Sequence, residues 1–122
     1  LQLSHCAALS RAALSAIAES CEALQTLALL ACAQLDDALL LELGTGCPAL
    51  QRLHLAHCEL ISERGAFYVA TSCRELRELR LCGCVQLQDE EALQATHGCS
   101  RLEVLELPSG KMADLEHGSA WW

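Results

Sequence analysis

Cys47-Pro48-Ala49-Leu50-Gln51-Arg52-Leu53-His54-Leu55-Ala56-His57-Cys58 is the stretch on which the fold turns. The same order returns 26 residues later as Cys73-Arg74-Glu75-Leu76-Arg77-Glu78-Leu79-Arg80-Leu81-Cys82-Gly83-Cys84. Cys21, Cys47, Cys73 and Cys99 stand 26 apart, and so do Cys6, Cys32, Cys58 and Cys84; of nine cysteines only Cys82 falls outside the two series. Three leucine series hold the same register: Leu24, Leu50, Leu76 and Leu102; Leu27, Leu53, Leu79 and Leu105; Leu3, Leu29, Leu55, Leu81 and Leu107. A fixed period of this length marks a stacked repeat.

Within each unit the L-x-L core alternates at period two, the pattern of a short strand with one buried face. The second half of the unit opens on Leu9, Leu35, Ile61 or Leu87, followed by Ser10, Asp36, Ser62 or Gln88. Three of those four followers are good helix N-caps. Apolar residues then recur at helical spacing, as in Ala66, Val69 and Ala70 or Leu40 and Leu43, and Gly46 and Gly98 suit a helix C-terminus. Each unit therefore reads strand, turn, helix, turn. One such unit cannot bury both apolar faces alone, whereas stacked copies bury them in a continuous core. The expected fold is an α/β leucine-rich-repeat solenoid, a horseshoe with parallel strands on the concave face and helices on the convex face. Residues 1–110 form the repeat domain: a partial copy over 1–20, full copies over 21–46, 47–72 and 73–98, and a partial copy over 99–110.

From Lys111 the pattern decays. Gly110 stands where the turn cysteine is expected, Ala113 where a buried Leu or Ile is expected, and Gly118 and Ser119 occupy apolar helix positions. Residues 111–122 read as a divergent tail, untied in the favoured reading. The alternative is a cap, with Trp121 and Trp122 folded over the end of the stack. The chain opens on Leu1 in mid-strand, so the expectation is a stack continuing upstream, where any leader would lie.

Composition narrows the function. The 122 residues include 26 Leu and 19 Ala against two Ile and three Val, and 52% are hydrophobic, enough for a sizeable Leu-rich core. With 16 acids against 8 bases the formal net charge is −8, which disfavours nucleic acid and anionic membrane surfaces as partners. No apolar run approaches the roughly 18 residues of a spanning helix.

The repeat pattern C-x-x-L-x-x-L-x-L-x-x-C-x-x-[IL]-[ST]-D resembles the cysteine-containing class typical of F-box/leucine-rich-repeat proteins. Cys58-Glu59-Leu60-Ile61-Ser62-Glu63 and Cys32-Ala33-Gln34-Leu35-Asp36-Asp37 both follow it, and the likeness covers about residues 1–110. No F-box helices are recognisable in this chain. The resemblance implies a substrate-recognition module of an SCF-type (cullin-RING) ubiquitin ligase receptor. The repeats would select a protein substrate, and ligase adaptor and cullin would be reached only through a segment not seen here. The alternative is a leucine-rich-repeat scaffold or assembly protein without ligase function.

The cysteines admit three readings. Zinc ligands usually come as C-x-x-C pairs, and none is present. Disulfides are possible on distance, since equivalent positions on neighbouring strands lie about 4.8 Å apart, but each inner cysteine would have two equal neighbours. The favoured reading is small buried apolar residues, the Cys32, Cys58 and Cys84 thiols also serving as weak donors to turn carbonyls. Free thiols imply a reducing compartment, cytoplasmic or nuclear. Cys82 has outward strand parity and reads as the accessible thiol, with Cys82-Gly83-Cys84 a weak redox candidate.

No catalytic constellation stands out. His5, His54, His57, His97 and His117 carry no nucleophile or carboxylate at a motif spacing, and the acids at Asp36-Asp37 and Asp89-Glu90-Glu91 fit helix starts. No phosphate loop is present. The expectation is a non-enzymatic protein without cofactor or metal. Its candidate partner-binding residues are the outward strand positions Thr26, Leu30, Arg52, His54, Glu78, Arg80, Cys82 and Glu106. Register would set Arg52 beside Glu78 and Arg80 beside Glu106, as ordinary charge compensation or as a mixed-charge patch for a protein. Ala28, Leu30 and Ala56 make the first half of this face less polar, and the bases gather later in the chain.

Overall fold

The computed structural model describes residues 2–3 and 10–115 of the chain. Strands β1 (Gln2–Leu3), β2 (Thr26–Leu29), β3 (Arg52–His54), β4 (Glu78–Arg80) and β5 (Val104–Glu106) alternate with helices α1 (Arg11–Ser20), α2 (Asp37–Gly46), α3 (Glu63–Ser72) and α4 (Asp89–Ala95). The strands form one parallel sheet in the order β1-β2-β3-β4-β5. Every pairing joins residues 26 apart, as in Gln2↔Ala28, Leu27↔Leu53, Leu53↔Leu79 and Leu79↔Leu105. The sequence period is therefore the sheet register. The expectations placed on His5, Cys6, Leu9, His117, Gly118, Ser119, Trp121 and Trp122 lie outside the described residues.

Alternation decides the faces. Leu27, Leu29, Leu53, Leu55, Leu79, Leu81, Leu105 and Leu107 are buried, and they share one core cluster with Leu14, Leu39, Leu40, Leu43, Ala66, Val69 and Ala92 of the helices. The residues between those leucines stay partly exposed on the opposite side of the sheet. Both cysteine series begin turns into this core. The Cys21, Cys47 and Cys73 amides close α1, α2 and α3 by donating to the Ile17, Leu43 and Val69 carbonyls at 3.0, 2.9 and 2.9 Å. Their own carbonyls accept from Leu24, Leu50 and Leu76, the hydrogen bond of a tight turn. Cysteine is thus the C-cap of these three helices; Gly46 is the last residue of α2, as expected, whereas α4 is capped by Thr96 and ends before Gly98. Gly46 has a different reason: a Cβ there would lie 2.0 Å from the Ala18 carbonyl oxygen of α1.

All four helices begin where the sequence places them, but their caps differ. Ser10 and Asp36 accept from the Ala13 and Leu39 amides at 3.2 and 3.0 Å. Ser62 is the N-cap of α3, yet its hydroxyl and amide donate to Asp37 of the preceding helix instead. Gly65 makes this possible, because a Cβ at that position would sit 2.3 Å from Asp37 Oδ1. Gln88, the weak cap by composition, begins α4 with its amide donating to Glu91 Oε1 at 3.0 Å.

The far end of the sheet departs from the expected tail. After β5 the chain turns at Leu107–Gly110 and doubles back. Leu107 donates to the Lys111 carbonyl at 2.8 Å, and Ala113 to the Leu105 carbonyl at 2.9 Å, with Glu106 opposite Met112 in an antiparallel bridge. Asp89 fastens the turn by accepting from the Ser109 amide and hydroxyl at 3.0 and 2.6 Å. Pairing thus extends to Ala113, and Ala113 and Leu115 pack against the core.

Candidate functional site: the outward face of the sheet

The outward positions line up in three rows across the strands. Thr26, Arg52, Glu78 and Val104 form the first, and Ala28, His54, Arg80 and Glu106 the second. The ladder continues past the strands, with Ala31 donating to Ala56, His57 to Cys82 and Gly83 to Pro108 at 2.8–2.9 Å. A third row, Leu30, Ala56, Cys82 and Pro108, follows from it, apolar throughout and partly exposed. One charged and one apolar band therefore run side by side over the same surface.

The charged band is wired differently from the expected pairing. Arg52 and Glu78 are register partners, but the Glu78 carboxylate is taken by His54 Nε2 and by Arg80 Nε, the latter at 2.9 Å. Arg80 also reaches Glu106 at 3.7 Å, so that expected neighbour pair forms. The Glu78 side chain lies diagonal to His54 and two residues from Arg80 on its own strand, and both are partly buried with it. Arg52 is exposed and forms no ion pair among the described residues. The Arg80 hydrogen bond, aided by that of His54 and by both charges, holds the Glu78 carboxyl below the usual range despite burial. The carboxylate in turn raises the Arg80 guanidinium further.

The structure brings Arg52, His54, Glu78, Arg80 and Glu106 into one patch, places Thr26 on its first-strand side, and sets Leu30 and Cys82 in the adjoining apolar row. Sequence reasoning placed every one of these outward but gave His54 no partner. The signal available was diagonal reach across neighbouring strands. Cys82 is partly exposed beside the end turn, where a Cβ on Gly110 would lie 3.7 Å from its sulfur.

The eight described cysteines are free thiols. Cys58 and Cys84 donate to the Leu29 and Leu55 carbonyls at 3.4 and 2.9 Å, so the expected donor role is present but its acceptors lie at the ends of the neighbouring strands and not in the turns. Burial, with the Cys47 and Cys99 thiols beside it, pushes Cys73 up to about 12, and burial does the same for Cys84. Protonated thiols of this kind are inert. Among the described residues no group of three His, Cys, Asp or Glu could hold a metal ion, and no helix is long and apolar enough to cross a membrane. Compared with models of protein families and with curated proteins, the chain matches none.

Proposed function

We propose that this chain is a leucine-rich-repeat solenoid that binds a protein partner on the outward face of its sheet, without enzymatic activity of its own. The observation that carries this is the constant 26-residue register through all four strand pairings, coincident with the period of the cysteines and leucines. Repeats stacked this way create extended concave surfaces for binding, and here that surface offers an apolar row beside a charged one with Arg52 open to a carboxylate. By its resemblance to F-box/leucine-rich-repeat proteins, the module serves substrate recognition in an SCF-type ubiquitin ligase of a reducing compartment, cytoplasmic or nuclear. Adaptor and cullin contacts would come from another segment. The second reading, a repeat scaffold outside any ligase, rests on the same surface.

Affinity capture with the full-length protein tests both levels. Arg52→Glu and Leu30→Asp should each weaken retention of the bound partner by about tenfold if this face is the interface. Retention unchanged by both refutes it. Co-purification of adaptor and cullin, with partner ubiquitination in a reconstituted reaction, supports the ligase role; partner binding without either supports the scaffold.

A further inference from the structure

The helical side of the molecule carries a second surface. α4 stops after 7 residues where α3 runs for 10, so among the described residues no helix flanks the last turn of α3 on the side away from α2. A groove of about 780 Å³ opens between that turn and residues 94–101. Its wall is Phe67, the chain's only phenylalanine, 53% exposed. A smaller pocket of about 240 Å³ adjoins it, sharing Phe67, Gln94 and Ala95. Leu41, at the equivalent position of α2, is also exposed. Solitary exposed apolar residues are ordinary, but an exposed aromatic ring set in the wall of a groove is a candidate anchor point for a partner.

The rim supplies the charge. Arg64 borders the smaller pocket, and Arg74 and Arg101 the larger, against Glu63 and Glu75. Arg101 pairs with Glu75 at 2.9 Å, whereas Arg64 and Arg74 form no ion pair among the described residues. In a chain of net charge −8 this is a local excess of cations around an aromatic wall. Charge complementarity then selects the occupant. We infer that this groove docks an acidic amphipathic segment of a partner protein, its apolar anchor against Phe67 and its carboxylates toward Arg64 and Arg74. The site lies on the helices, away from the sheet face, and stands independently of the function proposed above.

Two synthetic peptide pools of equal length test this, each with a central Leu or Trp, one flanked by Glu and Asp and the other by Lys. Binding is read by fluorescence anisotropy and mapped by amide chemical shifts on the full chain. The acidic pool should yield binders whose shifts gather on Phe67, Ala70 and Arg74. Phe67→Ser and Arg74→Glu should each weaken them about tenfold, with Arg52→Glu without effect. Both altered residues are exposed, and a melting curve matching the parent confirms that each variant is folded. Equal binding of the Lys pool, no acidic binder at millimolar peptide, shifts centred elsewhere, or a homodimer that Phe67→Ser dissolves would each overturn the proposal.

Discussion

Ala31 holds a left-handed backbone at φ 56°, His57 does so at 57° and Gly83 at 81°, each 26 residues from the next and each just before a turn cysteine. This conformation lets the chain leave the strand and aim Cys32, Cys58 and Cys84 into the core. For a residue with a Cβ it costs on the order of 1 kcal/mol, against a smaller entropic penalty for glycine in the unfolded chain. Ala31→Gly should therefore stabilise the fold by roughly 0.5 kcal/mol, seen as a higher urea midpoint at constant slope. Gly83→Ala should destabilise it by about 1–3 kcal/mol, because a Cβ would also lie 2.1 Å from the His57 ring. Adding His57→Ala should recover part of that loss. None of this column was legible from the sequence, since alanine and histidine announce no left-handed residue and the single glycine looked incidental. Glu78 offers a residue-scale test in pH. Its folded pKa is depressed, so its contribution is present above the ordinary carboxylate pKa of about 4.3 and is lost as pH falls through the folded value. Glu78→Gln should melt below the parent at pH 7, and the gap should close in acid once the parent carboxylate is protonated.

Among the elements, the closing hairpin differs most from expectation. The helical pattern fades after β5 because Gly110 and Ala113 replace a cysteine and a large apolar residue, and that fading was readable. The reversal was not read, although Pro108-Ser109-Gly110 is a turn signal; the loss of the helical pattern pointed only to an untied tail. Gly110 sits at φ 95°, so a β-branched side chain there is strained. Gly110→Val should open the hairpin, which amide exchange would reveal as lost protection at Leu107 and Ala113 with β3 unaffected. The caps teach the same lesson on a smaller scale. Positions 10, 36, 62 and 88 were legible as helix starts, but Asp37 serving the helix after its own depends on Gly65, a contact between neighbouring units that no local pattern encodes.

For the whole molecule, the constant register means that energetic coupling passes between adjoining units. Leu53 and Leu79 are direct partners in the sheet, whereas Leu27 and Leu105 are separated by two intervening strands. Leu53→Val with Leu79→Val should show a coupling of about 0.5–1 kcal/mol in a double-mutant cycle, and Leu27→Val with Leu105→Val should add within about 0.5 kcal/mol. Equal coupling in both cycles would contradict nearest-neighbour transmission. The sheet and its outward rows were legible because one period specifies every strand pairing at once, and so was the Arg80–Glu106 pair; the contacts of His54 and Arg80 with Glu78 were not, because they depend on side-chain reach.

The hairpin at the far end has a consequence for assembly. Lys111–Ala113 occupy the side of β5 that faces away from β4, so a further parallel strand cannot pair with β5 directly. A sheet whose last strand stays open to a parallel partner can add copies head to tail and grow into a filament. Met112 and its neighbours thus withdraw β5 from that head-to-tail contact and act on the kind of aggregate the chain can form.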